Sequence, residues 1–452
     1  MIPDPRAPAS APPPPGAGAT TLDRQRPVPA PFLPATAEVD GEGRLRVGGV
    51  DVLSLVAEVG TPVFIYDEEH LRRRCREARQ AFGPRVAYAS KAFLCKAMAA
   101  LAYEEGCCID VSTGGELAVA LAAGVPGERL VMHGNNKSAA ELQAALEAGT
   151  GRVVVDSFDE IERLVLLADR SEAAWPPPRV LVRVTPGVEA HTHEYVMTGQ
   201  EDSKFGFGLA SGAAAEAVER LRHPSAGVEL VGVHAHIGSQ IFALEGYERA
   251  LALLGPFFNG LGLEELCIGG GLGVAYVTGE TSPSITEWAH VLRRAAAAAG
   301  IADSVVLSAE PGRSIVASAG LTCYTVGTIK ELPGLRTYVA VDGGMSDNPR
   351  PVLYGSGYEA FLPREVTAPR PRAVTVVGKH CESGDVLVRD AWAPDDLRVG
   401  DVLATPVTGA YGHSMASNYN KVPRPPVVFV KDGRGRVVVR RETYEDLLAL
   451  DL

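Results

Sequence analysis

The stretch Val86-Ala-Tyr-Ala-Ser-Lys91 is a short apolar run that ends on a charged residue, and the pattern recurs down the chain. Further runs of the same make occupy 107–112, 130–134, 152–157, 180–185, 230–238, 265–271 and 305–311, which brings the count to eight. Ala-, Leu- and Glu-rich stretches such as 115–123, 139–148 and 288–299 fill most of the intervals, and their compositions favour helix over strand. Eight strand–helix units within about 230 residues predict a closed parallel (β/α)8 barrel, an α/β fold, over an open doubly wound sheet. The ends of the runs carry Lys91, Asp110 with Ser112, His133, Asp156, Arg183, His236, the glycines at 269–271 and Glu310. A barrel gathers all of its strand C-termini on one face, so these scattered residues are expected to share one pocket.

Outward from the barrel the texture changes. Beyond about residue 318 the chain reads as strands separated by Gly, Pro and Asp turns, among them 321–329, 337–341, 373–377 and 427–430, the last joined through Asp432-Gly433 to 437–440. A mainly β domain is expected over 318–452. The segment 36–66 also reads as short turn-linked strands, so the barrel, 67–317, is expected to lie between two parts of the β domain. Residues 1–35 are rich in Pro and Ala and lack a basic start followed by a continuous apolar stretch. They are expected to be a disordered tail, neither signal peptide nor membrane anchor.

With 452 residues, 46% of them hydrophobic, the chain has enough apolar content for two cores. Its formal charge of -12 argues against nucleic acid or an anionic membrane as the main partner, because both need a basic patch. The seven cysteines, Cys75, Cys95, Cys107, Cys108, Cys267, Cys323 and Cys381, form no C-x-x-C pair and no zinc spacing. Reduced thiols in a cytoplasmic, metal-free protein are expected.

Five motifs carry chemistry, and the first four each also have a plainer reading. Lys91 is either a solvated strand cap or an amine desolvated on a pocket floor, kept nucleophilic for a Schiff base. Gly269-Gly-Gly-Leu-Gly273 is either a turn or a loop without side chains whose N–H groups approach a phosphate, as near the seventh and eighth strands of barrels. In Glu310-Pro-Gly-Arg313 the acid either pairs with Arg313 or meets a protonated pyridine nitrogen. Along Gly232-Val-His-Ala-His-Ile-Gly-Ser-Gln240, alternation puts His234 and His236 on the face opposite Val233, Ala235 and Ile237. His236 is then a core residue or a ring stacked on a cofactor; the His pair lacks a nearby carboxylate motif to complete a metal site. In the β domain, Cys381 sits in a polar turn among Lys379, His380, Glu382 and Asp385, where exposure to solvent or an interface and a role in acid catalysis are expected.

Together these motifs resemble the fold-type III enzymes that use pyridoxal 5'-phosphate (PLP), and most closely the diaminopimelate decarboxylase family. The resemblance runs from about residue 37 to the C-terminus and includes His191-Thr-His193, Thr198-Gly199, Ser203-Lys-Phe-Gly206, Asp347-Asn-Pro-Arg-Pro-Val-Leu-Tyr354, Cys381-Glu-Ser-Gly-Asp385, Tyr411 and Ser417-Asn-Tyr-Asn420. It implies that Lys91 holds PLP covalently, His236 stacks on its ring and Glu310 meets its nitrogen. Ser239, Gly270, Gly271, Gly312 and Arg313 would bind the phosphate under Tyr411, with Asp110 in the same cofactor site. Arg313, Arg350, Tyr354, Tyr411 and Glu382 would bind substrate, and Cys381 would donate a proton. The resemblance also implies a homodimer in which Cys381 and Glu382 enter the partner's site, and conversion of meso-2,6-diaminoheptanedioate to L-lysine and carbon dioxide. Decarboxylation of ornithine, arginine or carboxynorspermidine, racemisation, and non-catalytic PLP binding are the competing readings. Ser90, Phe93, Cys107, Cys108, Lys379 and His380 depart from the family pattern.

Overall fold

A computed structural model describes residues 20–170, 176–188 and 202–452. The motif residues His191, His193, Thr198 and Gly199 lie outside them. Each of the eight expected runs coincides with one strand, two of which begin a residue early: Ala87–Ala89, Cys108–Val111, Leu130–Met132, Arg152–Val155, Arg179–Thr185, Glu229–His234, Glu265–Cys267 and Val306–Ser308. They pair in parallel in chain order. The first strand meets the last through Ala87 N–H donating to Ala309 O (3.0 Å) and Ala89 N–H to Pro311 O (3.2 Å), which closes the barrel.

Most strands stop short of the runs that predicted them, because their last residues are unsuited to a ladder. Gly134, Gly238, Gly269 and Gly271 take positive φ, and Ser90–Ala92 turns into a 3-10 helix. Those last residues are therefore free to face the mouth of the barrel. Inside, Ala87, Cys108, Val131, Val154, Leu181, Val231 and Cys267 form a separate apolar cluster, one residue from each of the first seven strands. Asp110, His133, Asp156 and Arg183 each stand two residues beyond a member of that layer. Alternation along a strand puts them on the same inner face, one level nearer the C-terminal rim. In the sixth strand Val233, Ala235 and Ile237 face the outer core, leaving His234 and His236 inside.

The long strand Gly320–Leu332 pairs with Val63–Asp67, Arg336–Val341 and Val402–Pro406, while Val427–Lys431 runs parallel to Val63–Asp67. Chain from before and after the barrel thus shares one sheet. Asp432 and Gly433, at φ 51° and 74°, make the two-residue hairpin turn to Arg434–Val439.

Two expectations need correction. Val52–Val59, within the segment 36–66 read as short turn-linked strands, is a helix: Asp51 caps it by accepting from Ser54 N–H (2.7 Å), and Val52, Leu55 and Val56 bury one face. Residues 20–35, assigned to a disordered tail, are placed against the body of the protein. Val28 and Phe32 are buried, and Arg370 donates its backbone N–H to Gln25 O and its Nε to Arg26 O, each at 2.8 Å. Low overall hydrophobicity hid these two apolar anchors. Phe32→Ala is expected to cost about 3 kcal/mol, seen as a lower urea midpoint; an unchanged midpoint would return the segment to a loose tail.

Candidate active site

Lys91, Asp110, His236, Ser239, Gly270, Gly271, Glu310, Gly312, Arg313 and Tyr411 line one cavity at the C-terminal rim, together with Ala89, Leu272 and Ser314. All ten residues expected around the cofactor are among them. Lys91 comes from the 3-10 turn after the first strand, and its ammonium makes no hydrogen bond or ion pair among the described residues. The β domain closes over this turn: Tyr411 N–H and Ser414 Oγ donate to Ala92 O at 2.8 and 3.1 Å. Phe93, one of the departures from the family pattern, stacks on Tyr66 at 4.4 Å, and Tyr66 Oη donates to Gly409 O. An aromatic contact therefore ties the lysine turn to the second domain.

Glycine is required where the loops cross. A Cβ at Gly270 would stand 2.3 Å from Glu310 O, and one at Gly271 would stand 2.2 Å from Gly238 O, with φ there at +107°. Only bare backbone fits. Gly270 N–H donates to His236 Nδ1 (3.1 Å), which fixes the ring at the pocket wall; burial, helped by Lys91, drives that imidazole well below its ordinary pKa and keeps it neutral. A neutral ring suits stacking.

Glu310 is buried and accepts from His133 Nε2 at 2.9 Å and His234 Nε2 at 3.0 Å, one histidine on each carboxylate oxygen. Burial would raise its pKa, but the two histidines outweigh this and hold it well below the usual carboxylate range. Asp110 lies 3.8 Å from His133; burial, opposed by His133 and reinforced by Glu310, pushes its carboxyl up to about 6. Its buried Oδ1 has no hydrogen-bond partner. His133, His234 and Glu310 also have the spacing of a metal trio, although their closest ligand atoms sit at ordinary hydrogen-bond distances.

Beside this cavity the two arginines expected at the substrate, Arg313 and Arg350, form a cationic cluster around Tyr276 and Tyr358, two residues that the sequence did not reveal. Arg313 donates to Tyr276 Oη (2.7 Å) and Ser239 Oγ (3.0 Å) and lies 4.7 Å from the Tyr411 ring centre; its buried Nε has no hydrogen-bond partner. Arg350 is 4% exposed, donates to Tyr358 Oη (2.5 Å) and lies 4.3 Å from the Tyr276 ring centre. Among the described residues neither guanidinium has a carboxylate partner. Arg313 therefore does not pair with Glu310, the plainer reading of that motif. Tyr276 and Tyr358 sit in irregular segments with no periodic signal, so only their contacts expose them.

Tyr354, Cys381 and Glu382 do not line the cavity. Cys381 is exposed whereas the other six cysteines are buried. Asp385 anchors the turn that carries it, accepting from His380 Nδ1 and Met345 N–H at 2.7 Å each, and Cys381 N–H donates to Asn420 Oδ1 (3.0 Å). Cβ atoms at Gly344 and Gly378 would stand 2.5 Å or less from the His380 and Asp385 side chains. These contacts hold the turn, and Cys381 and Glu382 are exposed on it.

A cavity with an unpaired lysine, glycine-lined loops, unpartnered Arg313 Nε and an ionised buried acid suits a phosphorylated, cationic heteroaromatic aldehyde, so the residues fit PLP. Comparison with known proteins agrees with that chemistry. A family model described as "Pyridoxal-dependent decarboxylase, pyridoxal binding domain" matches residues 68–317. Diaminopimelate decarboxylase of Mycobacterium tuberculosis is 46% identical over 439 residues, covering 93% of this chain and 97% of the relative. That of Bacillus subtilis is 47% identical over 436 residues, covering 93% and 98%. The crystal structure of diaminopimelate decarboxylase from M. jannaschii in complex with L-lysine superposes with a TM-score of 0.83 at 34% identity, covering 92% of this chain and 98% of that one. With matches of this extent through both the barrel and the β domain, the chain belongs to the diaminopimelate decarboxylase family of PLP-dependent enzymes.

Proposed function

We propose that this protein removes one carboxylate from meso-2,6-diaminoheptanedioate to give L-lysine and carbon dioxide, with PLP as cofactor. The observation that carries the reading is the pair of buried guanidinium groups, Arg313 and Arg350, that share Tyr276 and have no acidic partner among the described residues. A buried cation without a counter-ion is costly unless an anionic ligand completes it. A substrate with a carboxylate at each end, on a phosphorylated cofactor, supplies such anions.

When bound, PLP supplies an electron-withdrawing ring that stabilises the charge left on the α-carbon as carbon dioxide departs. The Lys91 amine would hold the cofactor covalently. His236 would lie against the cofactor ring, and the Glu310 carboxylate would meet its nitrogen. Ser239, Arg313 and the bare N–H groups of Gly270, Gly271 and Gly312 would take the phosphate, with Tyr411 and Asp110 lining the same cavity. Arg313, Arg350, Tyr354 and Tyr411 orient substrate, and Glu382 meets its far amine. The C–C bond breaks with its electron pair left on the α-carbon, and the Cys381 thiol returns a proton there.

Cys381 and Glu382 belong to a neighbouring copy in this reading, which makes the active unit a homodimer. Among the described residues no helix is long and apolar enough to cross a membrane. The acidic charge and reduced cysteines support a cytoplasmic location.

Incubation with meso-diaminopimelate, and in parallel with lysine and ornithine, tests the reading. Release of carbon dioxide and lysine from the first alone is expected; absence of lysine would refute it. Arg350→Ala is expected to raise KM for diaminopimelate by roughly ten- to a hundred-fold, the worth of a charge-assisted hydrogen bond, while PLP content stays near that of the parent. Equal loss of both would contradict a substrate role for Arg350.

A further inference from the structure

Deepening this reading, and resting on PLP as the cofactor, we propose that His133 and His234 are positioning residues that clamp the two oxygens of Glu310 in one orientation to pair with the ring nitrogen. Three strand ends converge to make the clamp: His133 follows the third strand, His234 closes the sixth and Glu310 follows the eighth. The histidines reach opposite oxygens at 2.9 and 3.0 Å, and their rings meet edge-on at 5.0 Å and 68°. A carboxylate held by one donor can rotate about its Cγ–Cδ bond. One held on both oxygens cannot.

Protonation follows from the same contacts. His234 is buried and its Nδ1 has no hydrogen-bond partner, so the ring proton belongs on Nε2, where it is donated to Glu310. Burial lowers this imidazole to about 4, which keeps it a neutral donor. His133 lies between Asp110 and Glu310, and the two acids overcome the effect of burial and raise its pKa. Each carboxylate oxygen of Glu310 keeps a second lone pair for the cofactor's N–H.

His133 is itself braced from below. The buried Lys137 ammonium donates to Gly134 O (2.6 Å) and Val154 O (2.8 Å) and pairs with Glu160 at 2.9 Å, pinning the loop that follows His133 to the fourth strand. Of the residues assigned to the cofactor, Glu310 is hydrogen-bonded by His234 and by His133, and His133 also lies 3.8 Å from Asp110.

Full-length variants titrated with PLP, followed at the cofactor's visible absorption band, test the clamp without reference to turnover. His133→Ala and His234→Ala are each expected to weaken PLP binding by roughly ten-fold. His133→Gln and His234→Gln, whose amide nitrogen reaches the Nε2 position, should recover most of it. His→Asn places its nitrogen near Nδ1, short of Glu310, and should not. In a Glu310→Gln background the alanine substitutions should cost little more, since their target is gone. Equal binding by the Gln and Asn variants, or full additional loss in the Glu310→Gln background, would overturn the clamp and leave the histidines as packing. Failure of the unsubstituted protein to bind PLP would instead overturn the cofactor reading, and the clamp with it. The Gln and Asn pair decides the matter even where an alanine variant does not fold.

Discussion

Lys91→Ala is expected to abolish covalent retention of PLP and to lower kcat by roughly ten-thousand-fold. The position of the residue supports so large an effect. Lys91 is exposed at the mouth of a cavity that it shares with His236, Glu310 and the glycine loop, and it has no ion-pair partner among the described residues. Its turn is fixed from both sides. Ala92 O is held by Tyr411 and Ser414 from the β domain, and Phe93 O accepts from Tyr88 Oη at 2.6 Å. Replacing the side chain should thus remove the amine without moving the backbone. Borohydride reduction followed by peptide mass spectrometry checks the result: the parent should carry the reduced cofactor on the Lys91 peptide and the variant nowhere. A cofactor adduct persisting on another lysine in the variant would reject the assignment.

The barrel and its cofactor pocket were legible because two simple periodicities cooperate. Short apolar runs set the strand count, and alternation within each run decides which residues face inward, so Asp110, His133, Asp156 and Arg183 fall above Cys108, Val131, Val154 and Leu181. The triple glycine was readable because no other residue tolerates the approach of Glu310 O and Gly238 O. What escaped depends on contacts between distant segments. Nothing local marks His133 or His234 as a partner of Glu310, since the three are joined only by barrel closure. Tyr276 and Tyr358 lie in irregular backbone, and their rings meet at 5.3 Å only after the β domain docks. The helix Val52–Val59 was hidden by β-branched residues whose strand preference yields to a cap and a buried face. Phe32 was masked by a Pro-rich neighbourhood, although one aromatic ring in a core pocket suffices to anchor a segment.

The other large effect concerns Cys381, and it is expected to appear as complementation between two damaged proteins. Cys381→Ala should lower kcat by about 10²–10⁴, the range for loss of a general acid. The thiol is exposed and lines no part of its own chain's cavity, while Asp385 and Asn420 hold its turn. A proton donor so placed would serve a site on another copy under the proposed dimer. In a two-fold dimer each site would then take Lys91 from one protomer and Cys381 from the other. Mixing Lys91→Ala with Cys381→Ala protein under conditions that allow subunit exchange yields heterodimers in which one site has lost both groups and the other retains both. With random reassortment half the dimers are mixed and each has one intact site, so activity should recover to about a quarter of the parent's. Neither variant alone is expected to approach that level. No recovery, despite exchange demonstrated by differently tagged chains, would place Cys381 outside the shared site and leave the source of the proton with residues of the same chain.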